Sequence, residues 1–379
     1  MNFITNANVY NIIKNKAVNN ISFDKRVAIL TGYNGCGKTT ILRCIHETIS
    51  IYNDGAFANP RKGWAIEVNF KSDFKIRNFC FPFGTKQIDQ NDHNYFADNI
   101  KIDDKLNDVY EKLFKRLSTD DINKTKGKDH IKLPKDVVAT VMNNGILQFP
   151  GKDKKNNPCE TVLFCDDLFF FNGEESGNKK IKLEELDVFS RTNNLSKTLY
   201  MLLQDFSKHS ILSDNAKKTQ QTILELKSLI LRVPEKLREE LDSNIKSLEE
   251  NSEKKELNGF MTDVNVFFNL TKREAFIDEE GLISLKFNGD VVKWYDLSKG
   301  EKTLLSLLLV VYLYKDKKAT FLFDEPDLSL HIKWQKILIE KLATIAPSSQ
   351  FIISTHSPAL IGGFEDQKII NISGMTRGN

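Results

Sequence analysis

Val27-Ala28-Ile29-Leu30-Thr31-Gly32-Tyr33-Asn34-Gly35-Cys36-Gly37-Lys38-Thr39-Thr40 passes from an apolar stretch into a G-x-x-x-x-G-K-[ST] string. Val27 to Leu30 reads as a buried strand. Thr39 to Ser50, with Ile41, Leu42, Ile45 and Ile49 spaced for one face, reads as the helix that follows. The strand–loop–helix context makes this a phosphate loop rather than a chance glycine-rich turn. Gly32, Gly35 and Gly37 let the backbone curl, so that N–H groups from Asn34 to Gly37, Cys36 included, point at phosphate oxygens. The helix adds its positive N-terminus. Lys38 is expected between the β- and γ-phosphates of a nucleoside triphosphate, the Thr39 hydroxyl on Mg²⁺ and Thr40 near the α-phosphate.

Towards the C-terminal end, Thr320-Phe321-Leu322-Phe323-Asp324-Glu325 is an apolar run closed by two acids. A fully buried parallel strand reads this way, and its carboxyl end is where open α/β sheets hold ligands. Acids at strand ends often only cap the next helix. With a phosphate loop in the same chain, Asp324 reads instead as a Mg²⁺ ligand, direct or through water, and Glu325 as the base that orients and activates water. A second apolar strand, Phe351 to Ile353, leads into Ser354-Thr355-His356. It is expected beside the acidic strand, where a neutral His356 imidazole can reach the γ-phosphate or the attacking water.

Between these motifs lies Leu297-Ser298-Lys299-Gly300-Glu301, leading into the apolar stretch Leu304 to Tyr314. Ser298, Gly300 and a helix starting near Glu301 offer a hydroxyl, backbone N–H groups and a helix dipole to an anion. In this order the four motifs resemble the Walker A, signature, Walker B and switch-histidine motifs of ABC-type ATPases. That resemblance implies an α/β ABC-ATPase head with a mixed central sheet, flanking antiparallel strands and a helical insertion. It also implies two heads paired head to tail, with Ser298, Gly300 and Glu301 serving the ATP held by the neighbour, and ATP and Mg²⁺ as ligands.

The match is closer to the non-transport branch (OLD, RecF and SMC-like heads) than to transporters. The helix after the signature begins Glu301-Lys302-Thr303-Leu304-Leu305-Ser306 rather than with a basic, Gln/Arg-rich run, and Asp324-Glu325-Pro326-Asp327-Leu328-Ser329-Leu330-His331 is similar to OLD-like heads. Glu301 in place of a signature Gln, and His331 where transporters carry Asp, point the same way. The ATPase subunits of the PARIS and Septu antiphage systems look similar in arrangement. OLD-like nucleases carry a metal-binding nuclease domain after the ATPase. The stretch after His356 has no acidic cluster, so an effector nuclease or toxin is expected as a separate polypeptide. The family's Gln loop has only Gln87 and Gln90 as candidates by position.

Outside these motifs the chain reads as an N-terminal head portion (1–190), a helical insertion (191–271) and a C-terminal head portion (272–379). Trp64 to Phe70 and Phe74 to Phe81 alternate as strands do, and Asp98 to Leu117 has helical spacing. Ser118 to Asn157 is polar and loop-like, apart from the apolar Val137 to Met142. Thr161 to Phe171 reads as one buried strand with Asp166 and Asp167 near its end, carboxylates more often solvated than metal-binding. Leu195 to Leu270 repeats apolar residues at three- and four-residue steps, as in Ile223, Leu226, Leu229, Ile230 and Leu237, Leu241, Ile245, Leu248, with Pro234 at the first turn of a new helix. Arg273 to Trp294 returns to strands, turned at Glu280-Gly281 and Asn288-Gly289.

The 379 residues are ample for a buried core, and a net charge of +3 is too small to argue for nucleic acid by itself. The Lys-rich stretches (Lys124, Lys126, Lys128; Lys152, Lys154, Lys155) alternate with acids and read as solvated loops, which leaves contact with nucleic acid open. Five cysteines without a C-x-x-C pair suggest neither zinc nor a disulfide framework, and point to reduced thiols in a cytoplasm. No apolar run is long enough to span a bilayer, and no membrane partner is expected. The leading expectation is an ATP-hydrolysing homo-oligomer that regulates a separate effector in antiphage defence. The alternative is a RecF- or SMC-like head binding DNA ends. A transporter subunit is a third reading, disfavoured by the helix after the signature.

Overall fold

The phosphate-loop strand Val27–Thr31 lies inside a parallel sheet, buried from Val27 to Leu30 as its composition predicts. The computed structural model describes residues 3–10, 19–52, 64–72, 74–81, 137–142, 146–149, 159–165, 168–171, 194–212 and 252–375. The readings at Gln87, Gln90, 98–117, Asp166, Asp167, the Lys-rich stretches and 223–248 lie outside the described residues.

In chain order come β1 (Ile4–Tyr10), β2 (Asn19–Ser22), β3 (Val27–Thr31), α1 (Lys38–Tyr52), β4 (Trp64–Phe70) and β5 (Lys75–Phe81). Then follow β6 (Val137–Met142), β7 (Ile146–Phe149), β8 (Thr161–Cys165), β9 (Leu168–Phe171), α2 (Asn194–Leu212) and α3 (Ser252–Asn269). The last part carries β10 (Glu274–Ile277), β11 (Ile283–Phe287), β12 (Asp290–Val292), α4 (Lys299–Tyr314), β13 (Thr320–Asp324) and α5 (Ile332–Ile345). It ends with β14 (Gln350–Ser354), α6 (Pro358–Ile361), β15 (Lys368–Asn371) and α7 (Ile372–Met375). The chain divides into two compact units, one of Met1–Asp187, Asp316–Leu328 and Pro347–Asn379, the other of Val188–Lys315 and Ser329–Ala346.

The first unit holds two sheets. One has the order β15-β3-β14-β13-β8-β9, parallel throughout except for its antiparallel edge β9. The other, β2-β1-β4-β5-β6-β7, is antiparallel except where β5 meets β6. This is the expected α/β class, with a mixed central sheet carrying the phosphate loop and flanking antiparallel strands. The apolar run Thr161 to Phe171 is two strands rather than one: Cys165 pairs with Leu168 and Val162 with Phe171, so the chain reverses where a single strand was expected. Two short apolar runs on either side of Asp166-Asp167 are as compatible with a hairpin as with one strand, which is why periodicity missed the reversal.

Helix α1 was expected to bury one face, and Ile41, Leu42, Ile45 and Ile49 are indeed buried. They share one core with Ala28, Leu30, Leu322 and Ile352 of the parallel sheet and Ile4, Ala7, Trp64 and Val68 of the antiparallel one. Sheets on both sides also bury His46, Glu47, Thr48 and Ser50. The polar face is therefore internal, and burial pushes the His46 imidazole down to about 3.

The second unit packs α2, α3, α4 and α5 with the small sheet β10-β11-β12. Asn288 and Gly289 both have positive φ (52° and 95°), the turn that Asn-Gly favours between twisted antiparallel strands. Helix α4 is buried from Thr303 to Val311, which explains its continuous apolar run. Phe206 and Phe260 pack on its Tyr312 ring, and Trp334 of α5 donates its indole N–H to the Phe267 carbonyl at 2.8 Å. No described helix is long and apolar enough to cross a membrane.

Candidate active site

Parallel pairing brings the separated motifs to one sheet edge. In register, Asp324 of β13 lies beside Ser354 of β14, and Ser354 beside Leu30 of β3. The phosphate loop, Glu325 and His356 follow directly from those strand ends. Within the loop Gly35 has φ 80°, a left-handed value that glycine adopts at no steric cost. At Gly32 a Cβ would also run into Ser373 and the Cys36 sulfur. The Ser373 hydroxyl accepts the Tyr33 N–H at 2.8 Å and Thr31 donates to the Ile370 carbonyl at 3.4 Å, so the C-terminal β15–α7 segment holds the loop from outside. No local pattern marks Ser373, 340 residues from its partner.

Asn34 and Gly35 are exposed, Gly37, Thr39 and Thr40 half-buried, and the Cys36 side chain is turned into the core, leaving its backbone for the loop. Lys38 opens α1 and is only 6% exposed. Its ammonium donates to the Gly32 carbonyl at 3.2 Å and to His356 Nε2 at 2.7 Å, which leaves the imidazole proton on Nδ1. Glu325 Oε1 is 3.8 Å from the same ammonium and 3.5 Å from His356 Nε2.

Asp324 is gripped by hydroxyls: Thr39 donates to Oδ1 at 3.0 Å and Ser354 makes a short hydrogen bond to the same oxygen. The Cys165 thiol approaches Oδ2 at 3.6 Å, and Arg43 in turn donates to that sulfur at 2.8 and 3.3 Å. A hydroxyl and a carboxylate, oxygen donors one hydrogen bond apart, suit a small hard cation such as Mg²⁺.

Glu325 sits at φ 48°, a left-handed conformation uncommon for a non-glycine residue, with its N–H donated to the Ser354 carbonyl at 3.0 Å. Backbone strain of this kind collects at functional sites. Its Oε2 is buried without a hydrogen-bond partner. Burial holds the Glu325 carboxyl above its ordinary value; His356 and Lys38 oppose this, while Asp327 and Asp324 reinforce it. Asp327 is raised too, chiefly by burial and against the Thr355 hydroxyl that donates to it at 2.6 Å. Thr355 also accepts the Ser357 N–H at 2.9 Å, tying the His356 loop to the segment after Glu325.

Lys38, Thr39, Asp324, Glu325 and His356 thus form one constellation within the first unit. Ser298, Gly300 and Glu301 lie in the second unit. There α4 begins at Lys299 with Ser298 as its N-cap, two residues earlier than the sequence reading placed it. Ser298 and Glu301 form a capping box, with the Ser298 N–H donated to Glu301 Oε2 at 2.8 Å. Gly300 faces the Ser329 carbonyl oxygen so closely that a Cβ would collide with it.

A family model described as the AAA ATPase domain matches residues 12–361. The chain belongs to the AAA ATPase domain family. This ATPase is 22% identical over 408 residues to the Retron Vc95 probable ATPase of Vibrio cholerae serotype O1 biovar El Tor, covering 97% of the chain and 73% of that protein. It is 24% identical over 385 residues to the Retron Ec83 probable ATPase of Escherichia coli, covering 92% of the chain and 67% of that protein. A shorter match, 27% identical over 106 residues, links it to the Septu protein PtuA of Bacillus mycoides (strain KBAB4), covering 25% of the chain and 15% of that protein. The retron proteins share far more of the chain than PtuA does.

Proposed function

We propose that this ATPase hydrolyses ATP at sites completed between two copies of the chain, and that the ATP-bound assembly holds or releases a separately encoded nuclease or toxin in cytoplasmic antiphage defence. The observation that carries the reading is the convergence of Lys38, Thr39, Asp324, Glu325 and His356 on one sheet edge, with the Glu325 carboxylate half-unsatisfied. Lys38 and the loop N–H groups from Asn34 to Thr40 bind the phosphates. Thr39 and Asp324 would hold Mg²⁺, which would supply charge neutralisation to the bound phosphates.

Glu325 accepts a proton from the attacking water; burial above the ordinary carboxylate range makes it a stronger base. His356 Nε2, once Lys38 has turned to phosphate, is left as a hydrogen-bond acceptor beside Glu325 and orients that water. Ser298 and the start of α4 offer a second anion-binding surface that the chain's own phosphate loop does not need. Kinship with retron and Septu proteins supports the defence setting.

The test is complementation between chains. Lys38→Ala and Ser298→Arg should each lose hydrolysis alone, and an equimolar mixture should regain about a quarter of wild-type activity, because mixed pairs contain one intact composite site. A mixture as inactive as its components refutes the shared site.

A further inference from the structure

We infer that Arg273 is a positioning residue for the anion site at Ser298: it neutralises Glu301 so that the start of α4 can receive the phosphates held by a second copy. The inference rests on the shared-site reading above. Glu301 is 4% exposed, and its carboxylate is fully engaged. Oε2 accepts the Ser298 N–H at 2.8 Å and the Ser298 hydroxyl at 2.7 Å, while Oε1 meets Arg273 Nη1 at 2.9 Å.

This places a negative charge inside the cap of a helix whose N-terminus is to bind an anion. A carboxylate at N3 suits the helix's own dipole. It opposes an arriving polyphosphate, however, and it competes for the hydroxyl proton that a phosphate oxygen would accept from Ser298. A glutamine amide would cap the helix without adding charge. Glu301 therefore needs a counter-charge that stays in place when the phosphate arrives.

Arg273 is built to stay. Its backbone N–H is donated to the Phe268 carbonyl at 3.0 Å just before β10, and its guanidinium lies over the Phe287 ring at 4.9 Å from the centroid. Phe287 ends β11, whose pairing puts Lys286 opposite Glu274, next to Arg273 in sequence. The small sheet thus supports both the cation and the ring that covers it. With Oε1 neutralised by Arg273, Oε2 releases the Ser298 hydroxyl more readily to a stronger acceptor.

The experiment compares steady-state ATP hydrolysis by the full chain for wild type, Arg273→Gln, Glu301→Gln and the double variant, with Ser298→Arg as the reference for a lost signature. Removing the cation alone leaves an uncompensated buried carboxylate, so Arg273→Gln should lower kcat/KM about tenfold or more. Nucleotide affinity of dilute protein, read with a fluorescent ATP analogue at the phosphate loop, should stay unchanged. The double variant has no charge left to compensate and should recover to within about threefold of Glu301→Gln, a strongly non-additive cycle.

Should Arg273→Gln melt early, the double variant carries the test, since it lacks the unpaired carboxylate. A folded double variant with additive losses overturns the inference. So does wild-type hydrolysis by Arg273→Gln when Ser298→Arg is inactive. Full hydrolysis by Ser298→Arg defeats the shared-site reading itself, and this inference with it.

Discussion

Glu325→Gln should make the protein more stable and nearly inactive at once. In the folded chain the carboxylate lies 3.8 Å from the Lys38 ammonium and 3.5 Å from the His356 ring, yet its pKa is raised. Desolvation, with Asp327 and Asp324 adding to it, therefore outweighs both attractions. A carboxyl whose folded pKa lies above its unfolded value costs the native state stability once it ionises, and the cost is complete above the folded pKa. Near neutral pH a neutral amide of the same shape avoids that cost.

A gain of well under about 1 kcal/mol would raise the melting temperature by about 1–2 °C in a chain of this size. Loss of a general base should lower kcat by about 10²–10⁴-fold, which is about 3–5 kcal/mol of transition-state stabilisation. ATP affinity should hold or rise, because the phosphates lose a nearby negative charge. The assay pairs thermal unfolding with single-turnover hydrolysis at saturating ATP and Mg²⁺. A variant that melts several degrees lower, or one that hydrolyses ATP within threefold of wild type, would refute the account of Glu325 as a strained, desolvated base.

The pH profile should carry the same signature. With Glu325 as the proposed base, kcat should fall as pH drops through its folded pKa, and the acid limb should lie above the ordinary carboxylate range and vanish in Glu325→Gln. An acid limb at an unperturbed carboxylate value would assign it to another group. Gly300→Ala sets two effects against each other: alanine favours helix by about 1 kcal/mol, while a Cβ driven against the Ser329 carbonyl costs about 1–3 kcal/mol, and backbone cannot swing aside as a side chain can. A net loss of stability is expected in thermal melts, and a rise would show that the Ser329 segment yields.

The parts of the site legible in the sequence were those whose chemistry is local. The phosphate loop needs glycines, a lysine and a hydroxyl within a few residues, and the apolar strand before Asp324 announces its own burial. The expectation that His356 would lie beside Glu325 also held, because two fully apolar strands following a phosphate loop have few ways to pack other than in one parallel sheet. Spacing failed where packing from both sides rewrote a pattern. α1 looked amphipathic but is covered by two sheets, and the run from Thr161 to Phe171 looked like one strand but folds back on itself. Ser354 stood in plain view two residues before His356, but its hydroxyl had no legible purpose until register put it against Asp324.

By itself the sequence determined the reaction class, because phosphate binding and water activation demand particular groups at short range. It also picked out Lys38, Thr39, Asp324, Glu325 and His356, which the fold brings together. Only the tertiary structure decided what holds those groups: Ser373 against the phosphate loop, Arg43 and Cys165 behind Asp324, Asp327 against Thr355, and Arg273 against Glu301. Most of these partners are far apart in the chain, and even the nearer ones obey no helical or strand period. Their contacts arise from how sheets and helices close on one another, which local spacing does not encode.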